Sequence, residues 1–305
     1  MHLRRRRQVT AVGVAAVATA LSLAACSSSS SSPAAGGGSS STPAGGSPAA
    51  GGAKLNGTLN GSGSTFQLTF QQAAISAFKS VQSGMTVNYG GGGSGKGRTD
   101  LASGVVQYAG SDSTIPSAEE ANFKGKTALY FPVVIGPISV AYNLSGVTTL
   151  KLTPDVIAEI FQGKITSWNN SAITSINPGV SLPSTSITIA VRSDSSGTTQ
   201  NFSLFLEKAA PSTASATAAA DGVTVASNLT FHAVWATGAQ AYPITYQSWV
   251  LAYETQSSSN NTKMLQAYIG YLLGAGQQLL PELGYAPLPS NLDNMAKAQL
   301  SKIGM

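Results

Sequence analysis

Three stretches of this chain put glycine and small hydroxyl residues where a loop turns into a helix, and such helix starts can hold an anion. The first is Gly61-Ser62-Gly63-Ser64-Thr65-Phe66-Gln67, in which Ser64 and Gln67 have capping-box spacing and the glycines permit close backbone approach. The second is the run from Gly90 to Gly97, broken only by Ser94 and Lys96, which follows a strand-like segment and precedes a helical pattern through Leu101. The third runs from Arg192 through Asp194, Ser195, Ser196 and Gly197 to Thr199, again between a strand-like and a helical pattern. Each would offer N–H groups that no turn of helix satisfies, hydroxyl donors and the positive end of a helix dipole. Any one of them has the composition of an ordinary capped turn. Three in one chain, one of them carrying an arginine, point to an oxyanion receptor.

Asp112, in Tyr108-Ala109-Gly110-Ser111-Asp112, reads by itself as a turn or cap residue. The glycine run imitates a nucleotide-binding P-loop, since Gly90, Gly95 and Lys96 have the right spacing. Position 97, however, is Gly where the magnesium-binding Ser or Thr belongs, which argues against a nucleotide. Lys96 then reads as a solvated loop lysine.

The elements that must position these loops alternate. Thr86–Tyr89, Tyr130–Tyr142 and Ile187–Val191 have strand composition, whereas Phe66–Val81, Asp155–Phe161 and Met264–Leu280 have helical spacing, an order that predicts an α/β fold. Thr153 is a predicted N-cap with Pro154 in the first helical position, and Gly163 is a predicted stop. Phe66, Phe70, Ala73, Ala74, Ala77, Phe78 and Val81 fall on one helical face and read as core.

Before this region lie two segments of different character. Residues 1–25 carry Arg4 to Arg7, an apolar stretch from Val9 to about Leu23 and a small-residue ending, the pattern of a cleaved signal peptide. Cys26, the only cysteine, follows Leu23-Ala24-Ala25 and reads as the lipid-modified first residue of a mature lipoprotein. All 27 residues from Ser27 to Ala53 are Ser, Gly, Ala, Pro or Thr, so nothing large and apolar offsets the entropy of ordering them. As a flexible tether, residues 26–53 reach about 30 Å. The formal charge of +5 suggests nucleic acid, but loss of the four arginines leaves 13 basic against 12 acidic residues, and that partner loses its electrostatic basis. A hydrolase triad would have to use His232, because His2 lies in the leader, and no nucleophile elbow is present.

Beyond these local readings, the chain resembles the substrate-binding lipoprotein of the high-affinity phosphate ABC transporter. The resemblance rests on Gly61 to Phe66, Val87 to Tyr89 with its glycine loop, Gly110-Ser111-Asp112, Ile160 to Asn169, Arg192 to Thr198, Tyr242-Pro243-Ile244 and Leu283 to Pro289. It covers most of residues 56–300 in the family's order. It implies a two-lobed α/β clamshell of the type II periplasmic-binding kind, with lobe I formed by 54–134 plus 245–305 and lobe II by 135–244. It places phosphate ligands at Thr65, Phe66 (through its N–H), Ser94, Asp112, Arg192, Ser196, Gly197 and Thr198, with Asp194 orienting the arginine. The expectation is a non-catalytic monomer on the outer face of the membrane that needs neither metal nor cofactor and hands inorganic phosphate to permease subunits. One departure is the short stretch from Glu207 to Ala241, where the family has a longer segment ending in a strand, so lobe II is expected to be shortened. A degenerate sensor or surface lipoprotein, or an exported phosphatase or serine hydrolase, are the competing readings.

Overall fold

In the computed structural model, which describes residues 54–210, 226–234 and 243–304, five strands form one mixed sheet in the order β2-β1-β3-β5-β4. The strands are β1 (Gly57–Gly63), β2 (Met85–Gly90), β3 (Tyr108–Ser111), β4 (Ala128–Pro137) and β5 (Thr245–Tyr253). β1 pairs in parallel with β2 and β3, while β5 runs antiparallel between β3 and β4. The carboxyl ends of β1, β2, β3 and β4 and the amino end of β5 therefore share one edge of the sheet, the usual place for a ligand in such folds. All described residues belong to one compact unit, Pro48–Met305. The predicted leader, Cys26 and tether lie outside the described residues.

The helices are α1 (Leu68–Val81), α2 (Ser94–Ala102), α3 (Ser117–Glu120), α4 (Pro154–Phe161), α5 (Ser171–Thr174), α6 (Gly197–Ala209), α7 (Ser259–Leu273) and α8 (Ser290–Gln299). The main core joins the sheet to α1 and α7: Phe70, Ala74 and Phe78 bury against Leu265, Tyr268 and Ile269, with the Phe78 and Tyr268 rings 5.2 Å apart. Trp249, wholly buried on β5, meets Tyr130 and Phe231 edge-on. Between the two central crossings of the chain, smaller apolar clusters form around Ile157, Phe205 and Leu206 and around Val156, Ile160 and Ile173. Among the described residues, no helix is long and apolar enough to cross a membrane.

Thr153 caps α4 as its sequence predicts, accepting from the Val156 N–H with Pro154 next in line, and Gly163 follows with a φ of 71°. Other boundaries differ from expectation for identifiable reasons. α1 begins at Leu68, because Ser64 spends its own N–H on the Gly110 carbonyl and Gln67 turns its amide into the core; Ser64 still caps the turn, but the reciprocal half of the box is missing. Val81 is 59% exposed at the end of that helix, where the chain leaves the core. The helix expected over Met264–Leu280 starts earlier, at Ser259 with Ser258 as cap, and stops at Gly274, after which a 3-10 turn covers Ala275–Leu279.

The two largest departures concern strands. β4 ends at Pro137, and residues 138–142 form no strand, although the Ile138 N–H donates to the Ile244 carbonyl at 2.7 Å; 187–191 likewise form no strand, although the Ile187 N–H donates to the Thr166 carbonyl at 2.8 Å and Ser186 bridges Ser167. Residues 138–144 still alternate between half-buried and exposed. The period-2 pattern is therefore real, but a strand also needs a neighbour for its N–H and C=O groups. Apolar cavities lie between these segments and α4, one of about 390 Å³ lined by Val140, Tyr142, Phe161, Trp168 and Ile187.

Candidate anion-binding site

Each of the three loops leaves the sheet at its shared edge or faces that edge. After β1 the chain turns through Ser64, Thr65 and Phe66 into α1; after β2 the glycine run leads to Ser94 at the start of α2; β3 ends one residue before Asp112. α2 lies so close to β1 that a Cβ at position 97 would come within 2.7 Å of the Ser62 carbonyl and the Gly63 Cα. That contact excludes the serine or threonine a nucleotide loop would carry there. Lys96 points to solvent and pairs with Asp100, four residues on, at 2.5 Å.

Asp112 is the centre of the arrangement. It is 2% exposed, and every polar group it has is engaged. Its N–H donates to Ser94 Oγ at 3.0 Å, and its carbonyl accepts from Asn201 Nδ2 at 2.6 Å. Oδ1 accepts from Ser64 Oγ and Ser248 Oγ, each at 2.5 Å, and Oδ2 accepts from Thr198 Oγ1 at 3.2 Å. Burial pushes this carboxyl above the ordinary aspartate range, and hydrogen bonds from Ser248, Ser64 and Thr198, together with Ser94, act in the other direction.

The third loop approaches from the other side. Ser196 is the N-cap of α6, accepting from the Thr199 N–H at 3.2 Å, and Gly197 is its first residue. A Cβ on Gly197 would come within 2.5 Å of Ser94 Oγ and 2.8 Å of Asp112 Cβ, so only a glycine lets the α6 terminus sit on the Asp112 loop. Ser195 accepts from the Gly95 N–H at 3.0 Å, tying this loop to the start of α2. The Arg192 guanidinium clasps Asp194 through Nε, at 2.8 Å, and Nη2, and its Nη1 donates to Thr65 Oγ1 at 2.9 Å. Asp194 is held below the ordinary carboxylate range by this hydrogen-bonded arginine. The pairing uses the Nε–Nη2 edge of the guanidinium and turns Nη1 toward Thr65, on the side where an oxyanion could meet the Nη1–Nη2 edge in place of the threonine hydroxyl.

The structure thus brings Thr65, Phe66, Ser94, Asp112, Arg192, Asp194, Ser196, Gly197 and Thr198 into one connected site. Phe66 forms its floor, its ring 4.3 Å from Tyr246 and 5.0 Å from Tyr285, whose hydroxyl donates to the Phe66 carbonyl at 2.5 Å. Several participants have no signal in the sequence. Tyr246 shares a hydrogen bond of 3.1 Å with Thr198, Asn201 clamps the Asp112 carbonyl, and Ser248 reaches Oδ1 from the start of β5. Arg98, 3% exposed, donates to Ser111 and Ser113 on either side of Asp112 and pairs with Glu119 at 2.7 Å. Among the described residues, no group of three His, Cys, Asp or Glu could hold a metal ion. His232 is exposed, between the buried Phe231 and Ala233.

Comparison with known proteins gives a consistent picture. A family model described as the PBP superfamily domain matches residues 48–234. A protein named phosphate-binding protein PstS 3, of Mycobacterium leprae, is 39% identical over 170 residues, or 55% of this chain and 45% of that one. Phosphate-binding protein PstS 2 of Mycobacterium tuberculosis is 38% identical over 169 residues, 54% and 45% of the two chains. The chain thus spans about half the length of the curated relatives it matches. Among solved structures, a phosphate-binding protein from Stenotrophomonas maltophilia aligns with a TM-score of 0.61 at 15% identity over 80% of this chain and 94% of that one. A possible phosphate binding protein from Planctomyces limnophilus aligns with a TM-score of 0.54 at 17% identity over 82% and 99%. At these identities the likeness is one of fold.

Proposed function

This chain belongs to the PBP superfamily, and we propose that it is a solute receptor, without catalytic activity, that captures inorganic phosphate outside the cytoplasm and delivers it to the permease of an ABC transporter. The observation that carries the reading is the opposition of one buried carboxylate, Asp112, to Arg192 and the amino ends of α2 and α6. A purely cationic site would take any oxyanion. A buried carboxylate repels an anion in a medium of low effective dielectric unless that anion brings a proton for it to accept. Phosphate at neutral pH keeps at least one hydroxyl and sulfate keeps none, so Asp112 selects by rejecting the wrong ligand. Thr65, Ser94, Ser196 and Thr198 supply hydroxyls, Phe66 and Gly197 supply main-chain N–H groups and Arg192 supplies its guanidinium, the ligand sharing or displacing the bonds that Phe66, Thr198 and Arg192 make to Ser64, Asp112 and Thr65, and no metal is required.

In this proposal residues 54–134 and 245–305 form one lobe and 135–244 the other, closing on the ion by a hinge motion. The chain is anchored through lipidated Cys26 after loss of residues 1–25, and residues 26–53 let the receptor stand off the outer face of the membrane. Calorimetry of the full chain with inorganic phosphate should show one site per chain, with sulfate far weaker, and a chromogenic phosphate ester should not turn over. Hydrolysis of the ester, or no heat with phosphate, would overturn the reading. The alternative is a receptor that senses phosphate without delivering it. Normal binding with no rescue of phosphate uptake in a receptor-deficient strain would select that alternative.

A further inference from the structure

We infer that Tyr268, Gln71, Gln67 and Ser248 form a one-way hydrogen-bond relay that ends on Asp112 Oδ1 and so reserves Oδ2 as the oxygen facing the ligand. This makes Ser248 and Gln67 specificity-determining positions behind the site, and it rests on the phosphate reading given above.

The direction of the relay follows from chemistry. The Trp249 carbonyl can only accept, so the group of Gln67 that faces it at 2.7 Å is the amide nitrogen, which also donates to Ser248 Oγ at 2.6 Å. Gln67 Oε1 is then an acceptor and takes a hydrogen bond from Gln71 Nε2 at 3.0 Å; Gln71 Oε1 takes one from the Tyr268 hydroxyl at 2.7 Å. Ser248 has accepted from Gln67, and its single proton lies toward Asp112 Oδ1 at 2.5 Å, the Ser111 carbonyl being much farther at 3.4 Å. Ser64 is constrained in the same way. Its oxygen accepts from the Phe66 and Gln67 N–H groups at 3.1 and 3.4 Å, and its proton goes to the same Oδ1 at 2.5 Å. Oδ1 thus receives two hydroxyl protons that cannot turn round, and a proton taken up by Asp112 can sit only on Oδ2, beside Thr198.

Ser64, Gln67, Gln71, Ser248 and Tyr268 are all 0% exposed, so water cannot replace a missing link. Donors aligned in one sense in a dry interior polarise one another and favour a negative charge at their acceptor end. The hydroxyls of Ser64, Thr198 and Ser94 act in the same sense, whereas the remaining groups near Asp112 do little of this work. Tyr89 on β2, Tyr246 on β5 and Tyr285 after α7 are neutral phenols that burial keeps protonated. Arg98 on α2 is matched by Glu119 on α3, and Arg192 by Asp194. Together with those hydroxyls the relay favours the ionised form of a buried carboxylate, the form able to reject an anion that has no proton.

The test uses the full chain as wild type, Ser248→Ala and Ser248→Cys, the last keeping the volume with a weaker donor. The protonated-carboxyl infrared stretch is titrated without ligand, with Asp112→Asn as the spectral blank. The expected result is that its midpoint moves to higher pH by about one unit in Ser248→Ala, and by less in Ser248→Cys and in Gln71→Leu two links away. In competition titrations, sulfate should displace phosphate about tenfold more readily from Ser248→Ala than from wild type near the shifted midpoint. An unchanged midpoint in folded Ser248→Ala, or in Ser248→Cys should the alanine variant not fold, overturns the relay. So does an equal loss of affinity for both anions at every pH, which marks Ser248 as merely structural. The infrared arm needs no ligand, so failure of the phosphate reading leaves it intact.

Discussion

The two sides of the cleft are built on different principles. On the sheet side Asp112 is closed in by β1, β3, β5 and α2, with Ser64, Ser94 and Ser248 on its N–H and Oδ1, and Thr198 and Asn201 of α6 complete its polar partners from the other side. On the other side Arg192 has a side chain 41% exposed, its loop follows a segment that forms no strand, and Val191 beside it is 71% exposed. The contrast separates two tasks. A carboxylate that selects by rejection must be dry and immobile, because water or a shifted side chain would relieve the repulsion. An arginine that captures must reach solvent first, and it needs only one rigid neighbour, Asp194, to aim its fork.

The comparison can be broken at several points, and the largest effect should come from the sheet side. Trp249→Ala should lower unfolding free energy by about 3–5 kcal/mol in denaturant titration, whereas Phe161→Ala, 38% exposed across the cleft, should cost about 1 kcal/mol or less. Similar losses for the two would erase the distinction. Next is Arg192→Lys, for which we expect phosphate affinity to fall about 10- to 100-fold with no change in the unfolding midpoint, because an ammonium keeps the charge and loses the fork. A matching loss of stability would place Arg192 in the scaffold.

Asp112→Asn should let sulfate bind within about tenfold of phosphate, since an amide can donate to an oxyanion that has no proton. It should also change the pH dependence of stability. Burial holds the wild-type carboxyl above its unfolded value, so the folded state binds the extra proton and stability falls as pH rises from the ordinary carboxylate range through the raised value. The asparagine variant should lack that slope when unfolding is followed against pH. The smallest effect is expected from Thr153→Ala at the cap of α4, about 1 kcal/mol, measurable by thermal unfolding and without consequence for binding.

These contrasts also explain what could be read without coordinates. The three helix starts were legible because glycine, serine and threonine at loop-to-helix junctions have local causes: Ser196 caps α6 and Thr153 caps α4 through bonds spanning three residues. Asp112 was visible only as a turn residue until the resemblance assigned it a role. Ser248 has no local signal, and Gln67 reads only as the capping-box partner of Ser64, since the bond between Ser248 and Gln67 spans 181 positions. Arg98 has no local signal, and only its burial against Ser111, Ser113 and Glu119 shows it bracing the Asp112 loop. Residues 138–142 and 187–191 failed for the opposite reason. Their composition is strand-like, but among the described residues each makes only isolated backbone hydrogen bonds, Ile138 to Ile244 and Ile187 to Thr166, and no continuous ladder forms.

The chain passes from the sheet toward the Arg192 loop at Pro137 and comes back at Thr245, and beside these points Ile138 donates its N–H to the Ile244 carbonyl at 2.7 Å. Two covalent links side by side, fastened by a hydrogen bond, resist sliding far more than they resist bending. In the proposed hinge motion, displacement of the Arg192 loop would thereby be reduced to nearly a single degree of freedom, an arc about that pair of strands. Along an arc, Arg192 and the start of α6 can leave Asp112 and return to it without losing alignment. A cross-link between the two crossings should therefore leave the cleft able to open, whereas an equally short one across its mouth, from position 95 to position 195, should fix it shut.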